Sequence, residues 1–259
     1  MSGLATLLRK ELLESWRTMR LPAVLGLFLF TGISSPLLAK FLPEILELAA
    51  GELAGALPIP TPTAADAVAQ LVKNLGQFGA LAAIVLAMGA VATEVDRGTA
   101  AFVLARPVGR AAFVVAKVVS LGVVLALGVA LAVATGWIYT AILFEPPAVA
   151  GWVAMGILSW LALAAWAAVT FLASAVTASG AAAAGLGFLA LLVLSVAGAI
   201  PAVALLTPAG LTGPAMSLAN GTASFETLGS DLWSPVLATG GLIAIAVGLA
   251  LVAVRRREL

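Results

Sequence analysis

The sequence contains neither cysteine nor histidine among its 259 residues, and only 10% of its residues are charged. Without cysteine the chain can form no disulfide and no thiolate metal site. Without histidine it lacks the commonest general base, metal ligand and near-neutral proton switch. Soluble domains carry about 25% charged residues. The low charge, with 63% hydrophobic residues and a mean hydropathy of +1.16, therefore predicts an integral membrane protein.

Other missing features exclude further function classes. The net charge is only +1 and there is no basic repeat, so nucleic acid is not a predicted partner. There is no glycine-rich loop followed by Lys-Ser or Lys-Thr, so the chain is predicted not to be an enzyme with its own ATPase site. Serines in the apolar runs have no histidine to act as a base. We interpret them as helix-packing and hydrogen-bonding positions: Ser120, Ser159, Ser174 and Ser195.

Six apolar runs are long enough to cross the hydrocarbon core of a bilayer, which takes about 20 residues of helix. The predicted fold class is therefore an all-α integral membrane protein, with a single transmembrane domain over 1–259. The only charged residue in these runs is Lys40, near the end of the first. The predicted spans are 21–42, 74–93, 118–144, 150–176, 181–206 and 232–254.

The basic residues predict which ends of the spans face the cytoplasm. With six spans, both termini lie on one side, together with the connector 94–117 and the turn 177–180. That side holds 11 of the 13 basic residues, so the positive-inside rule predicts that it is cytoplasmic. The opposite, extracytoplasmic side receives the segments 43–73 and 207–231. The predicted location is a prokaryotic inner or plasma membrane, crossed several times.

The first extracytoplasmic segment carries local structural signals. Ser34-Ser35-Pro36 is predicted to kink or unwind the outer part of the first span. Residues 43–63 are predicted to form a short interfacial helix followed by a stiff, proline-rich turn. Thr63, with Asp66 three residues later, resembles a capping box and predicts that a helix begins there and runs into the second span.

An amphipathic helix is predicted over residues 4–20, ahead of the first span. Its apolar residues recur at helical spacing while basic residues occupy other faces, a pattern typical of a helix that lies in the membrane interface. The residues predicted to form this interfacial helix surface are Leu8, Leu12, Trp16, Arg17 and Arg20. The alternative interpretation is an ordinary charged flank of the first span.

The connector 94–117 is the candidate functional segment, because charges crowd together there between two long apolar runs. Gly98-Thr99 allows a sharp reversal. Residues 100–105 are predicted to form a short apolar helix that Pro107 ends or kinks. An apolar ridge with flanking charges suits insertion into a groove of a partner protein. The alternative is contact between a positive loop and lipid headgroups.

Several of these features occur in a characteristic order. An amphipathic first helix is followed by Glu94 with Arg97-Gly98-Thr99, then by the run 104–110, LARPVGR, by Lys117, and finally by the basic end 255–259. This order resembles the permease subunit of an ABC-2 type transporter over nearly the whole chain.

The resemblance implies a six-span permease whose N-terminal helix is an interfacial elbow. It also implies a coupling helix after the second span that seats in a cytosolic ATPase. The partners would be two ATPase subunits and a second permease copy, identical or different, within the lipid bilayer. ATP and Mg would be bound by the ATPase, so no cofactor, metal or catalytic residue is expected in this chain. The implied coupling residues are Glu94, Asp96, Arg97, Gly98, Thr99, Leu104, Arg106, Pro107, Val108 and Arg110.

The expected function is coupling of ATP hydrolysis to export of a hydrophobic or amphipathic substrate, or to force transmission across the membrane. Two alternatives stay open, an ion-coupled secondary carrier and a non-transporting membrane scaffold. A carrier normally has charged or unwound sites at mid-depth, and the apolar runs carry no charge there.

Overall fold

The computed structural model describes residues 2–50, 61–96 and 109–256, and within these ranges the chain forms helices and no strand. Six helical segments are long and apolar enough to cross a membrane, which confirms the predicted all-α, six-span fold. Numbered in chain order as spans one to six, they are Arg20–Leu48, Ala64–Glu94, Arg110–Leu143, Val149–Val176, Gly180–Gly198 and Ser230–Arg256.

Shorter helices complete the described structure. The first helix precedes span one, and three short helices and a 3-10 turn, Pro208–Leu211, lie between spans five and six. In chain order the α-helices are α1 Ser2–Arg17, α2 Arg20–Ala50, α3 Ala64–Asn74, α4 Ala80–Met88, α5 Ala92–Asp96, α6 Arg110–Leu143, α7 Val149–Val176, α8 Gly180–Gly198, α9 Pro201–Ala204, α10 Thr212–Ala219, α11 Phe225–Leu228 and α12 Ser230–Arg256.

Span one lies in a single continuous helix, α2, which runs through Pro36 and Pro43. The interfacial helix predicted to begin at 43 is therefore the end of α2, and α2 does not unwind around Pro36. The hydroxyls of Ser34 and Ser35 donate to the carbonyl of Thr31, at 3.5 and 2.6 Å. The proline-rich turn predicted after this helix falls largely at 51–60, outside the described residues.

The helix predicted to begin at Thr63 is present and leads into span two, which therefore starts at Ala64 rather than at the predicted 74 and contains a bulge. The amide of Thr63 donates to Asp66 Oδ2 at 2.8 Å, which confirms the capping box. A π-helical turn, Leu75–Gly79, joins α3 to α4. Just before it, Asn74 Nδ2 donates to the buried hydroxyl of Ser35 at 2.9 Å, and this bond fixes the middle of span two against span one.

Span five is shorter than the predicted 181–206. Its helix ends at Gly198, and Ile200 takes an extended conformation, with φ −90° and ψ 115°. Proline disfavours the helical region for the residue before it, so Pro201 stops α8 and begins the short helix α9. The segment between spans five and six therefore begins before the predicted boundary at 207.

The core is centred on span four, whose helix α7 packs against spans two, three, five and six and against α10. Its side chains include the largest buried groups of the described residues, with Trp152 1% exposed and Met155 and Phe171 0% exposed. Spans five and six keep many large apolar side chains exposed on their outer faces. Such faces suit lipid or another membrane helix, because neither requires polar surface.

Glycines let spans one and three approach closely. The ring of Phe28 lies against Gly128, where a Cβ atom would be 2.9 Å from Phe28 Cδ2. The contact at Gly32 involves backbone, since a Cβ atom there would lie 2.5 Å from the carbonyl oxygen of Ala132. Small residues commonly allow this approach between membrane helices.

Replacing Gly32 by alanine is expected to destabilise the protein by about 1–3 kcal/mol, because the added methyl would overlap backbone atoms that no side-chain rotation can move. The measurement is thermal unfolding of the purified protein in detergent, followed by tryptophan fluorescence. Gly26→Ala is the matched control on the same helix, since a Cβ atom there meets nothing within 4 Å. Equal loss of stability in both variants would contradict the close contact.

Candidate functional site

Helix α1 and span one are joined by a sharp reversal at Thr18 and Met19. Met19 adopts a left-handed conformation, with φ 61°, which ends α1. The amide and hydroxyl of Thr18 both donate to the carbonyl of Glu14, at 2.8 and 2.7 Å, and so satisfy the end of α1. The chain thus leaves one helix and starts another within two residues.

One face of α1 lies against the start of span three. Leu12 packs against the apolar core, whereas Trp16 is 58% exposed and Arg17 is exposed. Leu8 is half-buried, and Arg20 belongs to the first turn of α2 rather than to α1. A helix is therefore present where the amphipathic helix was predicted, and its function as an interfacial elbow and its location in the membrane interface stay predictions.

Five charged residues meet where α1, the end of span two and the start of span three come together. Lys117 is central, with its side chain only 5% exposed and its Nζ atom 2.8 Å from Glu94 Oε1 and 3.1 Å from Glu11 Oε2. Lys10 Nζ lies 3.2 to 3.4 Å from carboxylate oxygens of Glu11, Glu14 and Glu94. We refer to these five residues as the ion network.

The ion network contains three carboxylates and two ammonium groups, so it carries one excess negative charge. Burial works to lower the pKa of Lys10, but the carboxylates of Glu11, Glu94 and Glu14 outweigh burial and raise this pKa above its usual value. Oxygens of the same three carboxylates lie within 4.8 Å of one another, a spacing that would suit metal ligands. The ammonium groups of Lys10 and Lys117 already lie among these oxygens and supply the positive charge.

Lys117 lies two helical turns after the start of α6, and its side chain is buried, so an unpaired charge there would cost several kcal/mol. Removing one partner of a buried ion pair is strongly destabilising, because the other charge is left without compensation. The ion pairs of Lys117 with Glu11 and Glu94 therefore stabilise the packing of α1 and of the end of span two against span three. These three elements surround the point at which the connector leaves the bundle.

Span two is interrupted just before the connector. Helix α4 ends at Met88 and α5 begins at Ala92, with Gly89 outside helical geometry at φ −98° and ψ 2°. The amides of Val91 and Ala92 both donate to the hydroxyl oxygen of Ser174 in span four, at 3.0 Å each. Ser174 is fully buried, and it is confirmed as a hydrogen-bonding position between helices.

The turn between spans four and five lies at the same end of the bundle as this interruption. A Cβ atom on Gly180 would be 3.9 Å from Thr93 Oγ1 and 4.0 Å from Gly89 Cα. This proximity agrees with the six-span count, which the uncharged sequence of the turn could not establish by itself. The cytoplasmic assignment of this end remains a prediction.

The side chain of Arg110 contacts the C-terminal part of the chain. Its Nη1 atom donates to the carbonyl oxygen of Arg255, in the last turn of α12. Carbonyl groups at the end of a helix lack partners within the helix, and a basic side chain stabilises them by hydrogen bonding and by its charge. Arg110 is thus the first residue of span three and also caps the C-terminal end of span six.

The structure places only part of the predicted coupling set. Glu94 belongs to the ion network, Asp96 is exposed at the end of α5, and Arg110 contacts α12. The others lie outside the described residues: Arg97, Gly98, Thr99, Leu104, Arg106, Pro107 and Val108.

Four members of the ion network were missing from the predicted site: Lys10, Glu11, Glu14 and Lys117. Two signals in the sequence pointed to them. The acids Glu11 and Glu14 lie on an otherwise basic helix, and Lys117 is followed directly by 27 uncharged residues, 118–144. A lysine at the edge of a membrane span either extends to the lipid headgroups or pairs with a nearby carboxylate.

Two comparisons with known proteins place this sequence among its relatives. A family model described as ABC-2 family transporter protein matches residues 6–259. A protein of Bacillus subtilis (strain 168), named uncharacterized transmembrane protein YxlG, is 27% identical over 147 residues, which are 56% of this chain. The match spans 57% of the relative's length. Because the family model covers nearly the whole of this six-span, multi-pass membrane protein, the chain belongs to the ABC-2 family of transporter proteins.

Proposed function

We propose that this chain is the permease subunit of an ATP-driven transporter and receives mechanical input from separate cytosolic ATPase subunits. The input arrives at residues 97–108, the part of the connector that carries most of the coupling residues. Besides family membership, the Lys117–Glu94 ion pair carries the proposal, because it joins the two flanks from which that segment leaves the bundle. In this proposal the partner ATPase binds ATP and Mg, and this chain contributes no cofactor of its own.

Both flanks of the segment 97–108 are connected to other spans. On one side, α5 is held by the hydroxyl of Ser174 in span four and by the Glu94–Lys117 pair. On the other side, Arg110 bonds to the carbonyl of Arg255 in span six. A displacement of the segment is therefore passed to spans two, three, four and six and to α1.

ATP binding closes the ATPase pair and moves the segment 97–108 as a lever. This movement changes how two permease copies, identical or different, pack against each other, and their interface alternates between two arrangements. Such a switch requires that ATP-bound and ATP-free partners favour different arrangements. Exposed apolar faces on spans five and six supply area for a second copy.

The cargo that best suits this interior is hydrophobic or amphipathic. A groove of about 710 Å³ between spans three and four is lined by Trp137, Trp152 and Trp160. The indole N–H groups of Trp137 and Trp160 donate to backbone carbonyls at 3.0 Å, so the rings offer the groove apolar surface. The same apolar interior suits a permease that transmits force to an external partner.

Arg106→Glu is expected to abolish co-purification of the chain with its ATPase and the ATP hydrolysis that the permease stimulates, because it reverses a charge in the docking segment. Arg256→Glu is the matched control, since Arg256 is an exposed basic residue at the charged end, outside the segment. The readouts are pull-down from co-expressing cells and phosphate release in proteoliposomes. A fully coupled Arg106→Glu complex would contradict docking at this segment.

Lys117→Met is expected to destabilise the protein by about 3 kcal/mol, because Glu11, Glu14 and Glu94 are then left with the ammonium group of Lys10 alone. Thermal unfolding in detergent measures this loss. The triple variant Lys117→Met, Glu11→Gln, Glu94→Gln removes the excess negative charge and should regain most of the stability.

The triple variant also separates coupling from stability. If the ion network passes motion from the connector to span three and α1, the triple variant remains folded while permease-stimulated ATP hydrolysis stays low. Recovery of both stability and stimulated hydrolysis would show that the network is structural only.

A further inference from the structure

Two cavities meet beside the first turn of span one. The first, about 640 Å³, is lined by the ion network and Arg20, and we refer to it as the charged chamber. The second, about 700 Å³, is lined by apolar residues of α2 and α4 and by Phe78 between α3 and α4, and we refer to it as the side groove. Residues that line both are Thr18, Arg20, Leu86, Gly89 and Thr93. The charged chamber and the side groove are therefore adjacent, with Arg20 and Gly89 lining both.

The charged chamber is neutral as a whole, because the three carboxylates of Glu11, Glu14 and Glu94 face the three cations Lys10, Lys117 and Arg20. The carboxylates of Glu11, Glu14 and Glu94 are engaged by Lys10 and Lys117. Arg20 forms no ion pair with any residue in the described ranges 2–50, 61–96 and 109–256. A guanidinium group at the junction of the two cavities is thus the cation available to an external anion.

A second donor converges with Arg20 over Gly89. The position that a Cβ atom would take on Gly89 lies 2.7 Å from Thr93 Oγ1 and 4.0 Å from Arg20 Nη2. The absence of a side chain at Gly89 therefore keeps open the space between these two donors. Guanidinium groups bind phosphate oxygens through two parallel hydrogen bonds, and a hydroxyl can add a third.

The side groove is open toward the bilayer. Phe78, Leu81 and Val85 line it and are 41%, 44% and 60% exposed. Arg20 is the first residue of span one, so it lies at the edge of the hydrocarbon core, at the depth of lipid phosphates. An anion-binding junction at headgroup depth, continuous with an apolar groove inside the membrane, has the chemistry of one phospholipid.

We propose that the charged chamber and the side groove together bind one phospholipid of the surrounding bilayer. Its phosphate accepts hydrogen bonds from Arg20 and Thr93 beside Gly89, and one acyl chain lies in the side groove between α2 and α4. Both cavities have volumes within the usual range for small-molecule sites, about 300–1,000 Å³. The site is independent of the proposed ATPase coupling, because it requires only the membrane.

The test is native mass spectrometry of the full-length protein, released from mild detergent and titrated with dioleoylphosphatidylglycerol. The wild type is expected to retain one tightly bound lipid. Arg20→Gln should weaken this binding about tenfold, which corresponds to about 1.4 kcal/mol. Arg17→Gln is the matched control, since Arg17 is exposed three residues away and lines neither cavity; its effect should stay below about twofold.

The side groove is tested separately by filling it. Ala23→Trp should also weaken lipid binding about tenfold. Leu29→Trp, at an exposed position of α2 outside the groove, should leave binding unchanged. Thermal midpoints verify that each variant is folded, and Arg20→Lys, which keeps the charge without the paired donors, should lie between wild type and Arg20→Gln.

Two further ligands identify the chemistry. Dioleoylglycerol, which has the same chains without phosphate, should bind at least tenfold more weakly, and soluble glycerol phosphate should not displace the lipid. Equal binding of dioleoylglycerol, or equal losses in Arg20→Gln and Arg17→Gln, would overturn the proposal. Loss of a dimer in Arg20→Gln with lipid binding unchanged would also overturn it, because Arg20 would then serve a second protein chain.

Discussion

The charged end of this protein depends on the need to neutralise one buried ammonium group. Lys117 lies inside an apolar helix, and its two nearest carboxylates come from α1 and from the end of span two. Because neither α1 nor the end of span two can move away without exposing a charge to an apolar environment, the three elements behave as a unit. This constraint gives the connector a fixed base, and it explains why a helix outside the membrane spans is packed so firmly against span three.

Composition and periodicity were sufficient to predict the class of fold, and local chemistry decided the details. Thr63 and Asp66 marked the start of span two correctly because a capping box involves only residues close in sequence. Prolines were harder to interpret. Pro36 lies within a helix that continues past it, whereas Pro201 ends span five after an extended Ile200. Proline restricts its own backbone in the same way in both places, so the surroundings determine whether the helix continues.

The site was only partly predictable, because its main contacts join residues far apart in the chain. The family resemblance implied Glu94 only as a coupling residue. The bond between Lys117 and Glu11 joins residues 106 positions apart, and no local pattern encodes it. Arg110 was predicted to face a partner protein, and it contacts the backbone of Arg255. Pairing rules state that a buried lysine requires an acid, but the fold decides which acid is near.

The interruption of span two makes the inner end of that span depend on another helix. In an unbroken helix the amides of Val91 and Ala92 would bond to carbonyls one turn earlier in the same chain segment. Here they bond to Ser174, so a single hydroxyl of span four replaces two backbone hydrogen-bond acceptors within span two. The start of the short helix α5 is therefore attached to span four. If span four slid along its axis, α5 would move with it. The part of span two near Asn74 would stay in place, because Asn74 is bonded to Ser35 of span one.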